Sequence, residues 1–290
     1  MKVYILPVGR IFQPENQSFI YPKGNIDYGV EQDFLYFLQH NKQLVTNDKK
    51  IADYHYLPIY WTRWHLNHDY GKKGLSDLSS EVKFRLIDDR KTFTICQYDD
   101  GPLVKLGKTI IFLSSRKEKT GIDIPLLTNS HKRPILKPRK KYLASFVGRL
   151  ETNIIRSEME RTIKDYPGIL IKNGDYDESA FVKSILESYV ALAPRGYGGS
   201  SFRFYEAMQL GVPPLLIGNI DTRPFKKFIN WEACSFYTKR PDRIPKIISS
   251  YSKLDLLKMG ENAKKVYDEL IAYQRWCIFV LKVLNDIKQT

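Results

Sequence analysis

The sequence predicts an α/β protein of two Rossmann-like halves, each a parallel sheet flanked by helices. Short apolar runs alternate with longer helical patterns along the whole chain, as strands and crossover helices of parallel sheets do. The alternation stops once, in a polar, basic stretch between Thr128 and Tyr142 that contains Pro134 and Pro138, and then resumes. With 290 residues, 43% of them hydrophobic, the chain has apolar material for two ordinary cores. The expected domains are 1–138 and 139–290, with a final helix from about residue 272 packing back on the first domain.

In the first half the expected elements are a strand over Val3 to Pro7 and a helix over Asp27 to His40. Strands over Tyr54 to Tyr60, Phe93 to Gln97 and Thr109 to Ser114 follow, with Trp61 to Tyr70 read as an aromatic-rich loop. In the second half, strands are expected over Tyr142 to Val147, Ile169 to Lys172, Tyr189 to Ala193 and Pro213 to Ile217. Helices alternate with them near Arg156 to Lys164, Asp177 to Ser184 and Phe202 to Leu210. The tail from Leu254 to Ile287 reads as helical, broken around Ala272.

A net charge of +14 attracts nucleic acid, anionic membrane or phosphorylated small molecules alike. No apolar run reaches the roughly 20 residues of a membrane span, and the N-terminus has no signal-peptide core, so a soluble, cytoplasmic protein is expected. Cys96, Cys234 and Cys277 lack zinc or redox spacing and read as small buried side chains. The basic run Lys132 to Lys141 makes a nucleic-acid-binding protein the principal rival reading. No module with interleaved basic and aromatic residues accompanies it, so no nucleic-acid partner is expected.

The chemistry concentrates after Tyr189 to Ala193, a buried strand. Pro194 to Gly199 is a glycine-rich turn, and Ser200 or Ser201 caps the helix that follows. Glycines let a backbone approach a ligand, and a helix N-terminus offers unpaired N–H groups and positive potential, so the unit suits a diphosphate. Arg195 and Arg203 add cations, and Glu206, three residues after Arg203, suits the two hydroxyls of a ribose. Gly148 and Arg149 end another strand and should open on the same sheet edge, with Arg156 a weaker fourth cation. The pair Asp175-x-Asp177 has the spacing of a metal-binding DxD, but its place after Gly174 and before a helix favours an N-cap.

Several of these motifs together resemble the exostosin-type glycosyltransferases, glycosyltransferase family 47. They are Leu192-Ala193-Pro194-Arg195-Gly196-Tyr197, Ser200-Ser201-Phe202-Arg203, Tyr205-Glu206-Ala207 and Gly211-Val212-Pro213-Pro214. Pro224-Phe225, Ile229-Asn230-Trp231 and Arg243-Ile244-Pro245 follow in the family's order. Upstream, Tyr28 with Glu31 resembles its Tyr-x-x-Glu, and Ala52-Asp53-Tyr54 to Pro58 its Ala-Asp-x-Phe-x-x-Pro. Tyr98-Asp99-Asp100-Gly101-Pro102 stands where His-Asp-Trp-Gly-Pro is usual, so His and Trp are replaced.

The resemblance implies a GT-B fold, two Rossmann-like domains facing across a cleft, in a compact soluble member of bacterial or large-virus type. It also implies an inverting transfer without an essential metal or cofactor, from a UDP-sugar such as UDP-xylose, UDP-glucuronate or UDP-galactose to a glycan acceptor. The expected donor contacts are Gly148, Arg149, Arg195, Gly196, Tyr197, Ser200, Ser201, Arg203 and Glu206. For the base, Asp99 is preferred, then Asp69, with Asp100 a third candidate. Trp61, Trp64 and Tyr70 offer rings to stack on an acceptor sugar, with Tyr28, Glu31 and His68 beside them. A sugar-binding relative without catalytic activity is the weaker rival.

Overall fold

The structure, a computed structural model, describes residues 1–17, 29–132, 134–136 and 138–289. It comprises two α/β units, Met1–Leu126 with Tyr273–Thr290, and Leu127–Ala272. The division falls at Leu126–Leu127, ahead of the basic stretch, rather than after residue 138. The reason is local bonding, because Thr128 pairs with the Tyr267 hydroxyl and His131 with Glu206, which commits residues 127–132 to the second unit.

The first unit contains β1 (Val3–Ile5), α1 (Val30–His40), β2 (Tyr54–Tyr56), α2 (Trp61–Asn67), α3 (Leu75–Arg85), β3 (Thr92–Cys96), β4 (Ile110–Leu113) and β5 (Ile122–Asp123). Its five strands are all parallel, in the order β1-β2-β3-β4-β5. The second unit contains β6 (Tyr142–Val147), α4 (Ile154–Ile163), β7 (Ile169–Lys172), α5 (Glu178–Leu186), β8 (Ser188–Pro194), α6 (Phe202–Leu210), β9 (Pro214–Ile217), β10 (Phe236–Thr238), α7 (Ile244–Ser249) and α8 (Lys253–Val266). Its sheet is parallel throughout, in the order β10-β9-β8-β6-β7. These are two Rossmann-like units, each a parallel sheet flanked by helices, as the sequence predicts. The central strands read as continuous apolar runs because both faces are covered, and Val190 to Ala193 are fully buried.

After α8 a π turn over Tyr267–Ile271 ends the helix, and α9 (Cys277–Gln289) belongs to the first unit. Buried Asp33 on α1 holds it there, accepting from Gln274 N at 2.7 Å and Trp276 Nε1 at 2.8 Å. The Tyr54 hydroxyl donates to Leu284 O at 2.9 Å.

One expectation is corrected outright. Trp61 to Tyr70 is not simply a loop, since α2 takes up Trp61–Asn67. Helical spacing then carries Trp61, Trp64 and His65 into the core, because positions i, i+3 and i+4 share a face.

Candidate functional site

The second sheet reverses its strand order between β6 and β8, and parallel sheets bind ligands beyond the carboxyl ends of strands at such a point. Two turns leave the sheet there, at Gly148 after β6 and at Arg195 to Gly199 after β8.

The glycine-rich turn has its carbonyls occupied. Arg156 donates to Arg195 O at 2.9 Å and reaches Pro194 O at 3.5 Å, and Asn153 Nδ2 donates to Gly196 O at 3.0 Å. Arg195 folds back to donate to Gly198 O at 2.9 Å and Tyr197 O at 3.2 Å. Thr222 Oγ1 donates to Gly199 O at 3.2 Å, and Gly196 N to Ser200 O at 3.1 Å. With these lone pairs turned toward protein donors, what the turn has left to offer is its N–H groups and the positive end of α6. Ser200 and Ser201 are buried at its end. Ser201 occupies the N-cap position, yet its side chain accepts no capping bond. Tyr197 is 58% exposed at the tip.

Arg203 sits beneath the other turn. Its guanidinium donates to Val147 O and lies 4.4 Å from the Phe146 ring centre and 5.2 Å from that of Phe181. Its Nε is enclosed and has no hydrogen-bond partner among the described residues. Burial, then the nearby Arg156 charge, pushes its pKa down to about 10, so it remains a cation. Only glycine fits above it, since a Cβ on Gly148 would come within 2.7 Å of Arg203 Nη2.

The other cations are more committed than the sequence suggested. Arg149 forms a paired, exposed ion bridge with Asp175. Arg195 braces the turn and also donates to Asn219, and Arg156 binds backbone carbonyls, including Arg149 O at 2.9 Å. Asp177 caps α5 by accepting from Ala180 N at 2.7 Å, so both carboxylates of the DxD-like pair are engaged.

Glu206 accepts from His131 Nε2 at 3.2 Å, and the other ring nitrogen of His131 lies 3.0 Å from Glu178. Sequence reasoning missed His131, which sits 75 residues from Glu206 and carries no local signal. It also missed Asn153, Asn219 and Thr222. The polar run Asn219 to Arg223, straight after a buried strand, was the available signal for the last two. The Pro224-Phe225 and Ile229-Asn230-Trp231 motifs brace this segment, since Trp231 Nε1 donates to Pro224 O at 2.6 Å and its ring meets Phe204 of α6.

In the first unit, Tyr28 lies outside the described residues. Glu31 is buried, accepting from Thr62 N (3.1 Å), Thr62 Oγ1 (2.9 Å) and Gln97 N (2.9 Å). It therefore ties α1 to the start of α2 and the end of β3 rather than facing an acceptor. Burial pushes its carboxyl up to about 7. Trp61 and Trp64 are corrected from stacking platform to core. Both are buried, and Trp61 Nε1 donates to Thr94 Oγ1 at 2.8 Å. His68 is half-buried, stacked on Trp64 with ring centres 3.9 Å apart.

Asp69 is exposed with φ of 54°, and Asp100 pairs with Lys117. Asp99, less exposed than either, sits in the turn after β3. Tyr98, which stands where histidine is usual, packs its ring 4.7 Å from buried His65, whose imidazole is pushed down to about 4 by burial.

Among known proteins, the Exostosin GT47 domain family matches residues 89–252. The Exostosin-1 homolog of Caenorhabditis elegans is 24% identical over 98% of this chain and 83% of its own length. Exostosin-1a of Danio rerio is 24% identical over 62% of this chain and 30% of its own length, so this chain spans well under two thirds of that relative. Among solved structures, Anabaena Alr3699/HepE in complex with UDP-glucose aligns over 100% of this chain and 99% of its own, at 7% identity and a TM-score of 0.43. The Thermobaculum terrenum O-GlcNAc transferase aligns over 99% and 68%, at 11% identity and a TM-score of 0.41.

Proposed function

Because the chain belongs to the exostosin GT47 family of glycosyltransferases, we propose that it transfers a sugar from a UDP-sugar to a glycan hydroxyl, with inversion and without an essential metal. The observation that most supports the donor site is the pairing of the carbonyl-occupied turn at Arg195 to Ser200 with the enclosed Arg203 guanidinium. The diphosphate takes the N–H edge of that turn and the N-terminus of α6. Arg203 stabilises it from below, while Arg195 fixes the turn's shape. Arg149, exposed beside Asp175, exchanges that partner for phosphate. Glu206 receives the ribose hydroxyls.

In the reaction the acceptor oxygen bonds the anomeric carbon as the bond from that carbon to the diphosphate oxygen breaks. The acceptor proton passes to a carboxylate, for which we assign Asp99, with Asp69 second. Asp100 ranks third because Lys117 already neutralises it. Charge developing on the diphosphate falls on groups already oriented to receive it, which is how a preorganised site lowers a barrier. The engaged state of Asp175 and Asp177 supports cationic side chains, rather than a metal held by that pair, in this role.

The test is thermal stability with UDP-, GDP- and ADP-sugars and with single-stranded RNA, each with and without chelator. A ligand at a hundred times its dissociation constant stabilises the folded state by about 2.7 kcal/mol. A chelator-insensitive rise with one UDP-sugar, absent in Arg203→Ala, is expected. Flat responses to all nucleotide sugars with a salt-sensitive rise for RNA would overturn the reading in favour of a nucleic-acid partner for this +14 chain.

A further inference from the structure

We propose that His131 is a positioning residue for the nucleotide site, holding Glu206 in place through a carboxylate–imidazole–carboxylate clamp that is complete only when both ring nitrogens are protonated. The inference deepens the donor reading and rests on it.

The clamp is stated by its distances. His131 Nδ1 lies 3.0 Å from Glu178 Oε1, and Nε2 lies 3.2 Å from Glu206 Oε1. A neutral imidazole carries one N–H and so can donate to one carboxylate only, leaving its other nitrogen lone pair facing carboxylate oxygen. Two acceptors at hydrogen-bond distance therefore call for the imidazolium. The backbone is fixed as well, because His131 N donates to Gln209 Oε1 at 2.8 Å, and Gln209 Nε2 in turn reaches Asn129 O and the Tyr267 hydroxyl.

Among the described residues, the charged groups facing the imidazole are Glu178 from α5 and Glu206 from α6, and the backbone N–H of Lys132, next in the chain, also reaches Glu178 at 3.4 Å. Arg203, one turn before Glu206, acts on that carboxylate in turn. Phe181 contributes an uncharged ring 5.6 Å away. Burial opposes the charged imidazole, but the two carboxylates outweigh it and raise its proton affinity above the ordinary histidine value.

Two consequences follow for a nucleoside diphosphate. Glu206 is held at one oxygen by His131, which orients the other for the ribose. The imidazolium also cancels one of two nearby negative charges, which favours an anionic ligand. Loss of the proton as pH rises removes the charge and leaves one N–H for two carboxylates, which weakens both effects. Binding linkage is reciprocal, so bound nucleotide must hold the proton on His131 more tightly.

The experiment measures UDP affinity by calorimetry at pH 6 and pH 8.5 for wild type, His131→Ala and Glu178→Gln, with the histidine ring signals followed by NMR. The terminal phosphate titrates near 6 in every sample and cancels when variants are compared. Wild type is expected to bind about tenfold tighter than His131→Ala at pH 6, with that advantage smaller at pH 8.5. Glu178→Gln, which leaves the donor contacts intact, should move the wild-type midpoint to lower pH and shift the His131 ring titration with it. UDP binding whose ratio to His131→Ala is the same at both pH values overturns the clamp and leaves the donor reading standing. Absence of UDP binding at every pH overturns the donor reading, and the clamp's role falls with it.

Discussion

Gly148→Ala tests the anion site with a single added carbon. Gly148 has φ of 152°, a conformation L-residues rarely adopt, and its Cβ would lie 2.7 Å from Arg203 Nη2 and 3.6 Å from Phe146 Cζ. The guanidinium has little room to retreat, confined by Val147 O and by the Phe146 and Phe181 rings. Backbone that stays in place costs about 1–3 kcal/mol of strain. A guanidinium that leaves Val147 O forfeits a charged hydrogen bond worth about 1.5–3 kcal/mol. The variant should therefore lose about 2–4 kcal/mol of stability in urea unfolding. It should also bind UDP at least tenfold more weakly by calorimetry, since about 1.4 kcal/mol is tenfold. Gly196→Ala is the control for stability, because its Cβ meets nothing nearer than 3.6 Å. A Gly148→Ala protein as stable as wild type with unchanged UDP affinity would refute the account of Arg203.

Glu31 makes stability depend on pH with a defined sign. A carboxyl raised from 4.5 to about 7 holds a proton in the fold that the unfolded chain releases, so its contribution is full below pH 4.5 and declines by about 3 kcal/mol as pH rises to 7. Glu31→Gln should flatten that decline in urea melts at pH 5 and pH 8; an unchanged slope would contradict the burial argument. Asp99→Ala should lower turnover about a hundredfold to ten-thousandfold with UDP affinity intact, and a parallel loss of UDP binding would remove Asp99 as the base. Trp64→Ala should cost about 3–5 kcal/mol of stability, as a buried tryptophan does, and a stable variant with only a raised acceptor KM would restore the stacking role.

How much of this protein was legible depends on the range over which the relevant physics acts. The apolar runs of β6 and β7 and the amphipathic α6 with Gly211 at its end follow from local periodicity and turn chemistry, and the sequence determined the spans of β7 and α6 to the residue. The same locality made the strand, glycine turn and helix N-terminus of Tyr189 to Leu210 readable, because they are consecutive. The break near Ala272 was legible for the same reason, since the π turn ends there. Other features belong to the tertiary structure alone. Trp61 and Trp64 have the composition of a sugar-binding loop, and only the helix that turns them against β3 makes them core. Arg195 has the sequence of a ligand contact, but packing folds it onto carbonyls two and three residues on. His131 meets Glu178 and Glu206 across 47 and 75 residues of chain. Hydrogen bonds act over about 3 Å of space whatever the separation along the chain. Residues whose roles depend on distant partners therefore acquire them only when the sheet and its helices have closed around them.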